Sequence, residues 1–166
     1  MKVLKFVKSN FLIYSNGGLF LVTSFMVIRE ATGKDVMSIK ELVSQLGYTS
    51  LNMEELHAKM EHYQKGDYKL LVAEVDSKVV GFISLHWFDL FHSAGKLGRI
   101  AAFCVEEQFR SQGIGQLLLA ETERVFRSEG CTKMEVTSNM RRLRTHEFYK
   151  MQGYDEESKR FSKYLK

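Results

Sequence analysis

Arg110-Ser111-Gln112-Gly113-Ile114-Gly115 joins a strand-like run, residues 99–105, to a helix-like run, residues 116–129. A loop at the mouth of a helix turns several backbone N–H groups outward, where no intrahelical acceptor exists for them. Gly113 and Gly115 lack the Cβ atoms that would hold a phosphate away from the backbone, and the helix macrodipole adds positive potential at the same point. The chemistry that suits this arrangement is anion binding, with a pyrophosphate as the natural ligand. Taken alone, the hexapeptide is equally a surface turn with a glycine-relieved helix start, so its flanks decide between the two.

Upstream, Phe103-Cys104-Val105-Glu106-Glu107-Gln108-Phe109-Arg110 places an apolar strand end five residues before the arginine. Downstream, residues 139–154 begin at Asn139, carry Arg141, Arg142 and Arg144, read as a short helix and stop at Gly153 before Tyr154. Together these features resemble the GNAT superfamily of acetyl-CoA-dependent N-acetyltransferases. The loop matches the superfamily pattern of Arg or Gln, two residues, Gly, one residue, Gly or Ala, and Phe148-Tyr149 followed by Gly153-Tyr154 matches an ending seen in many members. Glu107 stands where many relatives have proline, Thr145 where many have alanine, and the chain contains no proline. Neither departure removes a group the chemistry needs.

The resemblance implies an α/β fold of the mixed α+β kind. This GNAT-like acyl-CoA N-acyltransferase fold has a central, mostly antiparallel sheet, a splayed parallel strand pair and flanking helices. It implies acetyl-CoA as co-substrate and an amine, on a small molecule or a protein, as acceptor. The amides of Ser111, Gln112, Gly113, Ile114, Gly115 and Gln116 would take the pyrophosphate with Arg110 beside it as a charge-assisted partner, and Asn139 is expected among the cofactor contacts. By the same resemblance the pantetheine arm pairs near Val105, and the backbone N–H of Phe103 faces the thioester oxygen as an oxyanion donor. Such a donor requires that the strands before and after the loop splay apart, because a closed ladder would consume it. Tyr149 occupies the position that in relatives gives a proton to the departing sulfur, and its phenol suits that role; packing beside Phe148 as a core aromatic is the bland alternative.

An alkyl amine is only about 0.1% neutral at physiological pH, so some group or water chain must take a proton. Glu106, Glu107, His86 and His92 are the candidates nearest the expected cleft. The aromatic connection Trp87-Phe88-Asp89-Leu90-Phe91-His92-Ser93-Ala94-Gly95, with residues 47–51, would bound the acceptor pocket. Direct attack in a ternary complex is expected, since neither Cys104 nor Cys131 sits with a base in a nucleophile constellation. A non-catalytic acyl-CoA-binding regulatory module is the alternative. An unrelated phosphate-binding domain fits poorly, because the loop lacks the Lys-Ser or Lys-Thr pair of a P-loop and no acidic residue follows a dinucleotide fingerprint.

These groups need elements to hold them. Residues 26–29 read as a short strand; Asp35 is expected to cap a helix with Val36, Ile39, Val43 and Leu46 on one face, ended by Gly47. Asn52 and Glu55 form a capping-box pattern for a second helix lined by Met53, Leu56, Met60 and Tyr63. Strands at 69–75 and 78–85 flank a tight Asp76-Ser77 turn. The helix after the loop buries Ile114, Leu118, Thr122 and Val125 and ends at Gly130, and a right-handed crossover makes the strand at 133–137 parallel to the strand at 99–105. Ligands lie at the C-terminal ends of such parallel pairs. A helix near 143–151 and a last strand at 161–165 complete the expected sheet.

With 166 residues, 45% apolar and 27% charged, the chain is long enough for a core without disulfides or metals. The cysteines have no metal-type spacing and read as reduced core thiols of a cytoplasmic protein. The net charge of +4 resides largely in Lys2, Lys5 and Lys8, since residues 1–25 hold no acid. The remainder is close to neutral, which argues against a nucleic-acid partner. Residues 1–25 imitate a signal peptide, yet Ser15-Asn16-Gly17-Gly18 breaks their apolar run into pieces too short to span a membrane. They read as an extension outside the catalytic fold, with a hairpin turn at Asn16-Gly17 and membrane attachment as the alternative, and residues 26–166 as the N-acetyltransferase domain. The oligomeric state is left open, a dimer included.

Overall fold

The computed structural model describes residues 3–15 and 18–165, with side chains from Phe25 onward. Alternating apolar runs become the strands β1 (Val3–Ser15), β2 (Gly18–Glu30), β3 (Tyr68–Val75), β4 (Lys78–Asp89), β5 (Lys96–Val105) and β6 (Cys131–Val136). Runs with helical spacing become α1 (Val36–Gln45), α2 (Met53–His62), α3 (Ile114–Ser128) and α4 (Leu143–Met151). The strands form one sheet in chain order from β1 to β6. All neighbours are antiparallel except β5 and β6, which α3 joins as a parallel pair.

At the β3–β4 turn, Asp76 and Ser77 adopt φ of 47° and 69°, the left-handed pair that matches the twist of the flanking strands. Phe25 closes this corner, its amide donating to the Asp76 carboxylate at 3.1 Å. The strand expected at 26–29 is the inner end of the longer β2. Its residues Met26 to Glu30 pair with β3, and β1 pairs with β2 from Val3↔Arg29 to Ser15↔Gly18. The turn residues Asn16 and Gly17 lie outside the described residues.

Each face of the sheet carries its own helices. On one face Leu70, Val72, Phe82 and Cys104 pack with Ile39 and Leu42 of α1 and Leu56 and Met60 of α2. On the other, α3 buries Ile114, Leu118, Thr122, Val125 and Phe126. Burying side chains of this size contributes roughly 1.5–3 kcal/mol each. Phe126 reaches the sheet because Gly98 has no side chain: a Cβ there would stand 2.6 Å from the ring.

Asp35 does not cap α1 through its side chain. Its carboxylate accepts from the Thr32 amide at 2.7 Å and takes both Nη groups of Arg29 at 2.7 Å. Arg29 also donates to Glu74 at 2.8 Å. A buried guanidinium makes charge-assisted bonds stronger than a helix cap, and the carboxylate follows it. Asn52 and Glu55, by contrast, form the expected reciprocal capping box at 2.8 and 3.0 Å.

Two compact units divide the chain, Met1–Val136 and Thr137–Lys166. In the second, Asn139 organises the entry to α4: its side chain accepts from the Arg141 amide at 3.0 Å and its carbonyl from the Arg142 amide at 2.9 Å. The strand expected at 161–165 does not form; residues 154–165 carry no regular structure. Phe161 and Tyr164 are 91% and 98% exposed. Six charges between Asp155 and Lys163 leave this stretch too little apolar surface to offset the entropy of ordering a strand. Among the described residues no helix is long and apolar enough to cross a membrane.

Candidate functional site

The parallel ladder between β5 and β6 runs from Lys96↔Cys131 to Ile100↔Val136 and stops, while β5 continues to Val105. β5 therefore runs on past the last rung, where β6 ends at Val136. Phe103 lies in this last part of β5, with Ile83 of β4 opposite it. The Val105 carbonyl accepts from Arg110 Nε at 3.0 Å, which ties the arginine to the strand end while its Nη groups remain on an exposed side chain.

After β5 the chain makes a single 3-10 turn, Glu107–Phe109, then reverses. Ser111 and Gly113 both take left-handed conformations, with φ of 60° and 81°. For Gly113 this is a conformation a Cβ disfavours, and nothing lies within 4 Å of where one would project. α3 then begins at Ile114, two residues earlier than its polar periodicity suggests, because the Ile114 side chain is anchored in the core. No side chain caps this helix. Phe109, Arg110 and Leu117 donate their amides to backbone carbonyls, whereas among the described residues the amides of 111–116 have no protein acceptor. Successive outward amides of this kind form an anion-binding concavity. Ser111, Gln112, Gly113, Ile114, Gly115 and Gln116 are thus brought together, and Gln112 stiffens the loop by donating to the Gln108 carbonyl at 3.0 Å.

Within the second unit Tyr149 is buried on α4 beside the rings of Phe148 and Tyr154, at centroid distances of 5.5 and 5.2 Å. Burial pushes its phenol up to about 12, against a smaller opposing effect of the Arg142 charge. It therefore holds its proton throughout the neutral range. Asn139 spends its side chain and carbonyl on the start of α4, the carbonyl also meeting His146 Nε2 at 3.0 Å.

The four base candidates separate. Glu106 is paired with Lys78 at 2.8 Å; Glu107 and His92 are exposed. His86 is half-buried on β4, stacked on Phe88 at 5.7 Å and flanked by Tyr68 at 5.8 Å. Its Nδ1 is buried with no hydrogen-bond partner. Burial first, then the Arg99 charge, pushes the imidazole below its usual value, with Glu135 opposing. Sequence reasoning passed over the Arg99–Glu135 ion pair. Its only trace was opposite charge on the strands either side of the loop. The aromatic connection divides: Trp87 turns to the α3 face against Phe126 at 6.3 Å, Phe88 to the opposite face, and Phe91 stands free in solvent. Cys104 and Cys131 are free thiols, and burial pushes the Cys131 thiol up. Among the described residues no cluster could hold a metal ion.

Residues 36–154 match the model of the acetyltransferase (GNAT) family. An aminoalkylphosphonate N-acetyltransferase of Salmonella typhimurium is 31% identical over 146 residues, 83% of this chain and 90% of that protein. The crystal structure of glucosamine-6-phosphate N-acetyltransferase from Arabidopsis thaliana aligns with a TM-score of 0.74 at 25% identity, covering 85% of this chain and 99% of the other. An aminoglycoside N-acetyltransferase in complex with CoA aligns with a TM-score of 0.75 at 21% identity, over 86% and 95% of the two chains.

Proposed function

Because this chain belongs to the acetyltransferase (GNAT) family, we propose that it moves an acetyl group from acetyl-CoA to a primary amine by direct attack in a ternary complex. The observation that carries this reading is the run of unpartnered amides at 111–116 around the left-handed Gly113. These amides would hold the coenzyme's pyrophosphate, with the Arg110 guanidinium beside it. When bound, acetyl-CoA supplies an activated thioester carbonyl. The stretch of β5 beyond Ile100 would receive the pantetheine arm near Val105, and the Phe103 N–H would stabilise negative charge developing on the thioester oxygen. Tyr149, protonated at neutral pH, would protonate the leaving thiolate. Asn139 joins the cofactor contacts in this reading. A cytoplasmic setting fits the two free thiols.

The acceptor we assign is a small amine carrying an acidic group, and support comes from the Salmonella relative named for aminoalkylphosphonates. Free thiol release from acetyl-CoA, measured across aminoalkylphosphonates, phosphorylated amino sugars, aminoglycosides, polyamines and peptides, tests both levels. Release with the phosphonates above the other amines is the expected result. Release only with peptides would overturn the acceptor, and no release with any amine would overturn the transfer itself.

A further inference from the structure

Resting on that reading, we propose that His86, held between Tyr68 and Phe88 and next to the Arg99–Glu135 pair, is the group that takes the proton from the acceptor amine.

Among the described residues, the buried side-chain polar atoms without a partner are His86 Nδ1, Trp87 Nε1 and Ser138 Oγ. An indole N–H only donates, and a hydroxyl is a poor base at neutral pH. An imidazole can take a proton, and a buried nitrogen with no protein partner marks a group open to another one. The ring is held in place. Phe88 stacks on it with planes 18° apart, and Tyr68 flanks it while itself packed by Tyr63 and His62 of α2 at 5.1 and 4.4 Å.

Position along the sheet is the second argument. His86 lies opposite Arg99 on β5, and Arg99 lies beside Glu135 on β6. The next rung, Ile100↔Val136, is the last of the ladder. From His86 to Ile83, which faces Phe103, is three strand steps, roughly 10 Å by strand rise. A bound amine and one water would bridge that separation.

Protons and bonds balance as follows. The ammonium first loses one proton to water; the neutral nitrogen then bonds to the thioester carbon. That bond makes the remaining N–H strongly acidic, and its proton passes to His86, directly or through the water. The C–S bond breaks, the thiolate takes the Tyr149 proton, and both side chains re-equilibrate with solvent. Neutral imidazole is the working form, and the depressed proton affinity of His86 keeps it neutral near pH 7. The charged and titratable groups acting on it are Tyr68 from β3, Arg99 from β5 and Glu135 from β6, while His62 at the end of α2 and Tyr63 just beyond it pack on Tyr68.

The test is the pH profile of kcat at saturating acetyl-CoA for the full chain and for His86→Gln, Arg99→Gln and Glu135→Gln, with acetyl-CoA affinity by calorimetry as control. For His86→Gln, kcat should fall by about 10²–10⁴ and the acidic limb vanish, with coenzyme affinity within about twofold, a margin well under 1 kcal/mol. Removing the Glu135 charge should move the wild-type limb to lower pH; removing the Arg99 charge should move it to higher pH. A merely structural histidine would give neither shift. His86→Gln activity near wild type with its acidic limb intact, or a limb unmoved in both charge variants, overturns the assignment. Should His86→Gln fail to bind coenzyme, the opposed shifts decide alone. A wild-type chain that binds acetyl-CoA but acetylates no amine would fell the transfer reading and this one with it.

Discussion

Tyr149 and Asp35 show how burial sets opposite requirements on an ionisable side chain. The phenol, pushed up to about 12 by burial, keeps its proton throughout the neutral range. Tyr149→Phe keeps the ring packing against Phe148 and Tyr154 and deletes only the proton. We expect kcat to drop by about 10²–10⁴ with acetyl-CoA affinity unchanged; single-turnover kinetics with calorimetry would check both, and an unaltered kcat would remove the phenol from the chemistry. Asp35 instead must stay charged. Burial pushes its carboxyl up, yet the Arg29 guanidinium and the Thr32 amide outweigh it and hold it below the usual carboxylate range. A carboxylate with depressed folded-state affinity for protons stabilises the fold above its unfolded value, near 3.9, and that contribution disappears as pH falls through the lower folded value. Asp35→Asn leaves Arg29 with Glu74 alone. It should cost about 3 kcal/mol at pH 7 and flatten the stability curve in the acid range, as urea titrations at stepped pH would reveal.

At the scale of elements, the β5–α3–β6 unit decides where the site lies, and its tightest contact is the least conspicuous in sequence. A Cβ added at Gly98 would meet Cγ and Cδ of the buried Phe126 ring at 2.6 to 2.7 Å. Gly98→Ala should therefore destabilise by about 1–3 kcal/mol, and Phe126→Leu should be less harmful in that background than in the wild type. A double-mutant cycle on thermal unfolding measures this coupling; strict additivity would show that the ring yields freely. Local signals made most of this unit legible. Glycine at 113 marked the loop before the helix, the spacing of Leu118, Thr122 and Val125 marked the buried face of α3, and Gly130 its end. Residues 161–165 misled because a brief apolar alternation carries no information about whether a partner strand is within reach. Asp35 misled because its partner Arg29 belongs to a different element. The same limit governs the base: Glu106 and His86 look equivalent as letters, and only the fold brings Lys78 to one and aromatic rings to the other.

For the whole molecule, the first strand stands apart from the rest of the sheet in its pairing. Solved relatives are matched over 95–99% of their own length while covering only 83–86% of this chain. Their folds are thus complete without an equivalent of every residue here. β1 pairs with β2 and no other strand, and β2 is joined to β3 only from Met26 to Glu30. The fully buried Met26 and Ile28 belong to that inner segment. A chain beginning at Met26 would keep every β2–β3 rung, the Arg29–Asp35–Glu74 network and the phosphate loop. It would lose the β1–β2 ladder and the lysines at 2, 5 and 8 that carry most of the net charge. Our expectation is a cooperatively folded protein with acetyl-CoA affinity within about twofold of the full chain, a difference under 1 kcal/mol, and a lower isoelectric point. Circular dichroism melts with calorimetry would examine this. Loss of both cooperative melting and coenzyme binding would make residues 1–25 an integral part of the sheet, and the domain would then start at β1.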